Sequence, residues 1–157
     1  QMPQFYFMSK YMNQSNSNNT LIEYAAFFGS IQIFQFLMKN GVILTQELWT
    51  YAIHGKNPEL IHTLEENNLK PSPDLYKNYL VESIKCFHND ISNYIQKNYI
   101  ESYKCSSDII KYYNFEYIKN GMIDKYIFCD LCKYDYSYLV QLLLDDSNIE
   151  INQRIIW

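Results

Sequence analysis

The fold is decided by residues 20–41, which read TLIEYAAFFG and then SIQIFQFLMKNG. Thr20 and Glu23 have the spacing of a capping box, in which each side chain accepts a hydrogen bond from the other residue's backbone amide, so a helix is predicted to begin here. Ile22, Ala25 and Ala26 then share one helical face. A Gly-Ser pair starts a second helix, and a final Asn-Gly tolerates the left-handed backbone that ends helices. The stretch predicts two antiparallel helices that approach closely at small residues.

The same pattern recurs in four further copies, which is typical of stacked repeats. Each copy has an anchor residue in its first helix and an apolar residue twelve positions later. The anchors are Ala25, Ala52, Ser83, Ser106 and Leu131, and their partners are Leu37, Leu64, Ile95, Ile118 and Leu143. The fourth copy is the weakest. Residues 20–157 are predicted to form one repeat domain, with copies at about 20–42, 45–69, 74–100, 101–121 and 124–152, after a segment and polar loop over 1–19.

These residues resemble the ankyrin repeat. The matching positions are Thr20, Ile22, Ala25, Ala26, Gly29, Phe34, Leu37 and Gly41 in the first copy, and Cys132, Val140, Leu142, Leu143 and Asn152 in the last. The stretch from about Leu21 to Tyr99 is similar in particular to a divergent ankyrin-like domain of unknown function that is expanded in parasitic protists and followed there by further ankyrin repeats. The resemblance implies protein–protein interaction and supplies no catalytic residues.

The fold expected from this resemblance is all-α, an ankyrin-like α-solenoid of about five stacked helix pairs that continues beyond Trp157. No copy contains the Thr-Pro-Leu-His tetrapeptide of the family, and every step between anchors is shorter than the usual 33 residues or so. The β-hairpin fingers of ordinary ankyrin stacks are therefore predicted to be short or absent. That prediction moves the expected binding surface to the concave face made by the first helices.

Composition narrows the classes of partner and location. The chain has 157 residues, a net charge of −4 and a single arginine, Arg154. Nucleic-acid binders need clustered Lys and Arg, and the lysines here are scattered, so no nucleic-acid binding is predicted. No run of about 18 apolar residues appears, so no membrane insertion is predicted. Four cysteines are too few for a disulfide framework in a chain this long, which predicts a reducing, cytoplasmic location.

Cys129 and Cys132 form a C-x-x-C motif, which raises metal or redox binding as a third class of function. A zinc site needs about four ligands, and the remaining cysteines and histidines lie in other copies. The favoured interpretation is that Cys132 fills a buried small-residue position equivalent to Ala26, because free cysteine is among the most buried residue types. No cofactor or metal is expected.

The three histidines are the other candidates for acid–base chemistry. His54 is predicted on the exposed side of a first helix, His62 on a polar face, and His88 at a helix cap equivalent to Asn57. No nucleophile elbow or phosphate-binding loop accompanies them. The sequence therefore predicts a protein that is not an enzyme.

The predicted function is a non-catalytic protein–protein interaction scaffold with an unidentified protein partner. The alternative is a structural cap or spacer within a longer ankyrin-repeat protein. Twelve of the 16 tyrosines lie between Tyr76 and Tyr138, which fits either an interface or ordinary packing. Two rows along the first helices, which also include Cys105 and Asp108, supply the candidate protein-binding residues: Tyr24, Phe27, Tyr51, His54, Glu82, Lys85, Asp130 and Lys133.

Overall fold

The computed structural model describes residues 20–118 and 125–146 of the chain. These ranges form nine α-helices, one 3-10 turn and no strand. The helices are α1 (Leu21–Phe27), α2 (Ile31–Lys39), α3 (Leu48–His54), α4 (Pro58–Glu66), α5 (Pro73–Lys85), α6 (Asn89–Tyr99), α7 (Ser106–Lys111), α8 (Lys125–Lys133) and α9 (Ser137–Asp146), with the 3-10 turn at Phe115–Tyr117. The all-α class is confirmed. The predicted segment 1–19, the end of the fourth copy and the part of the fifth copy after residue 146 lie outside the described residues.

The chain divides into two compact units, and the boundary falls within α5. The first unit is Gln1–Glu82 and the second is Ser83–Trp157. In the first unit, α1 packs on both α2 and α3, and α3 packs on α4. The first helices of two successive pairs therefore lie side by side. The predicted capping box opens α1, where the Thr20 amide donates to the Glu23 carboxylate at 2.7 Å.

Two glycines allow α1 and α3 to approach each other at their C-terminal ends. A Cβ on Gly55 would collide with the carbonyl oxygen of Ala26 and would lie 2.9 Å from the Gly29 nitrogen. Gly29 also has φ +65°, a conformation that side chains disfavour. Asn57 fixes the contact, since its Nδ2 donates to the Gly29 carbonyl at 3.0 Å while its Oδ1 accepts from the Glu59 amide that opens α4.

Replacement of Asn57 by alanine should lower the free energy of unfolding by about 1–2 kcal/mol, because it removes a helix cap and the donor to Gly29. Chemical denaturation followed by circular dichroism measures the change. Asn57→Asp is the matched variant, since it keeps the capping oxygen and loses the donor. If Asn57→Asp is as stable as the wild type, the hydrogen bond to Gly29 contributes nothing to stability.

The core of the first unit is centred on Trp49, which is fully buried. Its indole Nε1 donates to the Leu69 carbonyl at 2.8 Å. Its ring stacks on Tyr79 with centroids 5.7 Å apart and meets the ring of Tyr76 edge-on at the same distance. The Tyr79 hydroxyl in turn donates to the Gln46 carbonyl at 3.1 Å. One aromatic cluster therefore joins α3, the loop after α4 and α5.

In the second unit, α7 packs on α8 and on the 3-10 turn, and α8 packs on α9. The buried centre of this packing is Ile110, Ile127 and Leu131. A fully buried pair of hydroxyls, Ser83 and Ser92 at 2.8 Å, joins the end of α5 to α6. Each polar atom of this pair thus has a partner inside the core, as buried polar groups require.

Each first helix ends in the same kind of turn. One residue has a left-handed backbone with φ between 51° and 65°, and these residues are Gly29, Lys56, Phe87, Tyr113 and Asp135. In four of these turns the next amide donates to a carbonyl five residues back, which is the Schellman arrangement. The four donor and acceptor pairs are Ser30 to Ala25, His88 to Ser83, Asn114 to Ile109, and Tyr136 to Leu131.

These turns correct the register of the fourth copy. The residue equivalent to Ala25, Ser83 and Leu131 is Ile109, so the sequence-based choice of Ser106 as anchor is wrong by three residues. The predicted second helix of this copy is replaced over its first residues by the 3-10 turn Phe115–Tyr117. Tyr117 is buried there and its hydroxyl donates to Gln96 Oε1 at 2.9 Å. The apolar pattern of a second helix is weak in this copy, because the 3-10 turn buries one side chain, Tyr117, where a helix would bury several.

Burial raises the pKa of Tyr117 above its ordinary value of 10. Above pH about 10 the unfolded chain loses this proton while the folded chain keeps it, so the folded state binds more protons and the free energy of unfolding falls as pH rises. We expect the denaturation midpoint to drop as pH rises above about 10, and to drop less steeply in Tyr117→Phe. Tyr138→Phe, at a side chain 73% exposed, should keep the wild-type slope. Equal slopes in both variants would contradict a contribution from Tyr117.

Candidate protein-binding surface

The first unit places only part of the predicted rows at its surface. Tyr24 is exposed and Tyr51 is half-buried, whereas Phe27 is 1%, His54 7% and Glu82 9% exposed. The predicted exposure of His54 is therefore wrong. Its ring stacks on Phe27 with centroids 5.4 Å apart, and its Nε2 lies 3.3 Å from a carboxylate oxygen of Glu82. These three side chains act on one another inside the unit and leave the tyrosines as its accessible candidates.

A cleft of about 320 Å³ lies near these residues between α3 and α5. Its walls are Gln46, Glu47, Thr50, Leu75, Asn78, Tyr79 and Glu82. A hydrogen bond from Thr45 lowers the pKa of Glu47, which keeps this carboxylate charged at neutral pH. Burial raises the pKa of Tyr79, with a further contribution from the charge on Glu47. The cleft thus presents two carboxylates, Glu47 and Glu82, and one neutral phenol, Tyr79.

The second unit places Lys133 at its surface, and Lys85 and Asp130 in half-buried positions. The corrected register adds Lys111 as the equivalent of Lys85 and Lys133, and it makes Asp108 the equivalent of Asp130. Lys111 is missing from the predicted rows because the fourth copy is aligned there on Ser106. A signal was present in the shared spacing of an acidic residue, two residues and a lysine in ESIK at 82–85, DIIK at 108–111 and DLCK at 130–133.

Each of these lysines lies over a tyrosine ring. The ammonium groups of Lys85 and Lys111 are 5.3 Å and 5.2 Å from the centre of the Tyr112 ring, and that of Lys133 is 5.4 Å from the Tyr134 ring. The negative face of an aromatic ring attracts a cation at these distances. The rings therefore restrict where the three ammonium groups can lie.

The carboxylates beside these lysines accept hydrogen bonds from hydroxyl groups of the same unit. Asp108 accepts from the Tyr103 hydroxyl at 2.8 Å, and Asp130 accepts from the Ser107 hydroxyl. The Ser107–Asp130 bond joins α7 to α8. The acidic positions of the pattern thus hold neighbouring elements together, while the lysines lie in the last turns of their helices.

The placement of Cys132 differs from the prediction. Cys132 is exposed and Cys129 half-buried, whereas the residues at the corresponding position of the earlier copies, such as Ala26 and Ile110, are buried. Cys132 instead borders an open cleft between α8 and α9 that also includes Leu131 and Val140. Within the described side chains, no third histidine, cysteine or acidic ligand lies close to this cysteine pair.

Comparisons of the chain with protein-family models, with curated proteins and with solved structures gave no match. In the ranges that the structure describes, no helix has the length and apolar character needed to cross a membrane.

Proposed function

We propose that this chain is a non-catalytic protein–protein interaction scaffold built from ankyrin-like repeats, and that its partner binds along the first helices. The observation that carries the proposal is the left-handed residue that follows every first helix, which makes residues at one position equivalent in all five copies. Side-by-side packing of α1 with α3, and of α7 with α8, supports stacking of the kind that gives repeat proteins their extended binding surfaces.

The side chains that could perform acid–base chemistry have structural partners in this arrangement. His54 contacts Phe27 and Glu82, and His62 Nδ1 lies 3.1 Å from a carboxylate oxygen of Glu65 within α4. These contacts favour structural roles for the two histidines. Structural roles for these histidines are consistent with a protein that binds a partner through its surface.

Site-specific crosslinking tests this proposal. A photoreactive amino acid at Tyr24, Tyr51 or Lys133 should capture a partner in the cells that express the chain. Matched controls place the same group at Glu66 and Asn98, which are exposed on the second helices α4 and α6. Crosslinks at the first-helix positions alone would support the proposal. Equal crosslinking from both sets, or none, would contradict it.

The alternative function, a structural cap or spacer in a longer ankyrin-repeat protein, is favoured by the exposure of Cys132. A position that earlier copies bury would be covered if another repeat packed against α8 and α9. A version that carries a further ankyrin-like repeat fused after this chain should then react more slowly with a thiol reagent at Cys132 and should melt at a higher temperature. Unchanged thiol reactivity would exclude this packing.

A further inference from the structure

We propose that Lys85, Lys111 and Lys133, here termed the lysine ladder, bind an acidic, extended peptide segment whose carboxylates recur at every third residue. This inference rests on the proposed function, since it names the chemistry of the partner for part of the same first-helix surface. All three lysines belong to the second unit.

The register of the turns places the three lysines at one repeated position. Each lysine comes two residues after the anchor whose carbonyl accepts the turn hydrogen bond, and the anchors are Ser83, Ile109 and Leu131. Each lysine is also in the last turn of its helix, at the ends of α5, α7 and α8. Equivalent positions in stacked copies present their side chains in a row.

The spacing of the ladder selects an extended ligand. Because Lys85 and Lys111 both contact the Tyr112 ring, their ammonium groups cannot be farther apart than the two contact distances together. Neighbouring helices pack with their axes about 8–10 Å apart, which agrees with this limit. A peptide in the extended polyproline II conformation has three residues per turn and rises about 3.1 Å per residue, so side chains three residues apart lie on one face, about 9 Å apart. Acidic residues at positions i, i+3 and i+6 would therefore meet successive lysines.

The charges around the ladder favour a peptide over a nucleic acid. Asp108 and Asp130 precede two of the lysines on the same helices, so the row alternates positive and negative groups. Duplex DNA carries one negative charge per about 1.7 Å of its axis, and such a continuous polyanion would meet the carboxylates as well as the lysines. A peptide with separated carboxylates avoids this repulsion.

The aromatic rings beside the ladder add contact area. Tyr112 and Tyr134 lie under the ammonium groups, and Tyr113 is 63% exposed next to them. Tyrosine is enriched among residues that dominate binding energy at interfaces, because it combines apolar area with a hydroxyl group. The lysine ladder therefore combines positively charged groups in defined positions with tyrosine rings that a bound peptide can contact.

The test uses two synthetic peptides of identical composition, titrated into the full chain and followed by NMR chemical shifts at low salt. One peptide repeats Glu-Ala-Ser, and the other groups its three glutamates together. The spaced peptide should bind several-fold more tightly, and added salt should weaken binding because the charges are exposed. The double variant Lys111→Glu/Lys133→Glu should bind the spaced peptide at least about tenfold more weakly, given roughly up to fivefold per exposed ion pair.

Lys97→Glu is the matched control, because Lys97 is an exposed lysine in the last turn of α6 and its loss affects the helix dipole in the same way. It should bind the spaced peptide as the wild type does. Melting temperatures separate binding from folding, and Lys111→Gln/Lys133→Gln replaces the charge-reversed variant if that one does not fold. Loss of affinity in the Gln variant at an unchanged melting temperature supports the ladder.

Three results would overturn the ladder: equal affinity for the two peptides, tighter binding of an RNA oligonucleotide of the same charge, or wild-type affinity in the double variant. Failure of the ladder differs from failure of the proposed function. If first-helix crosslinks to a partner persist while the spaced peptide shows no preference, only the partner chemistry is wrong. If the crosslinks fail as well, the scaffold itself is wrong.

Discussion

Trp49→Ala is expected to lower the free energy of unfolding by about 3–5 kcal/mol, the cost of removing a large buried aromatic side chain. Trp49 is fully buried between Tyr76 and Tyr79, so the substitution leaves a cavity lined by two rings. It also leaves the Leu69 carbonyl without its indole donor. Because small domains are stable by only about 5–15 kcal/mol, much of the chain should be unfolded at moderate temperature.

Denaturation followed by circular dichroism measures this loss, with Trp49→Phe as the matched variant. Phenylalanine retains an aromatic ring and removes the hydrogen bond, so it should cost less than alanine. Phe36→Ala is a control of another kind, since that aromatic side chain is 65% exposed and should change stability little. A midpoint for Trp49→Ala within error of that control would show that the aromatic cluster does not hold the first unit together.

Gly55→Ala is expected to destabilise the chain by about 1–3 kcal/mol, the usual cost of overpacking a core. At φ −67°, alanine meets no backbone strain, and a glycine replaced at such a position ordinarily stabilises a protein by about 0.4–1 kcal/mol. Here the added Cβ would collide with the Ala26 carbonyl oxygen and lie against the Gly29 nitrogen. These are backbone atoms, so α1 and α3 must move apart.

Gly41→Ala is the matched control for Gly55→Ala. Gly41 has φ +81°, and among the described residues nothing lies within 4 Å of an added Cβ. Its cost is backbone strain alone, about 1–2 kcal/mol. Gly55→Ala should therefore lower the free energy of unfolding for a different reason, which is the collision between α1 and α3. Because the colliding atoms belong to the backbone, a second substitution that shortens a side chain cannot relieve it. A stabilised Gly55→Ala would contradict the close approach of α1 and α3.

Local features of the fold could be predicted from the sequence, because each depends on residues close together in the chain. The capping box at Thr20 and Glu23 is confirmed, and so is the cap at Asn57 with proline following it. The pairing of helices in the first two copies is also confirmed. Such signals act over three or four residues, and so a single sequence contains all of the information they need.

Features that depend on packing could not be predicted in this way. His54 is buried because Phe27 and Glu82 come to it from other helices. The fourth register was missed because a 3-10 turn, Phe115–Tyr117, follows the first helix of this copy, so the apolar spacing of a second helix does not mark its position. The predicted row includes Lys133, which is exposed, and omits Lys111.

The turns that end the first helices also bear on how such a chain can diverge. Only one of the five left-handed residues, Gly29, is a glycine, and the others are as different as Lys56 and Phe87. Backbone hydrogen bonds define the turn, and those bonds place few demands on side-chain identity. Substitutions can therefore accumulate at these sites while the chain keeps its direction into the next helix. If the copies arose by duplication, their common origin would then remain visible in the hydrogen bonds of the turns after their sequences have become too different to align.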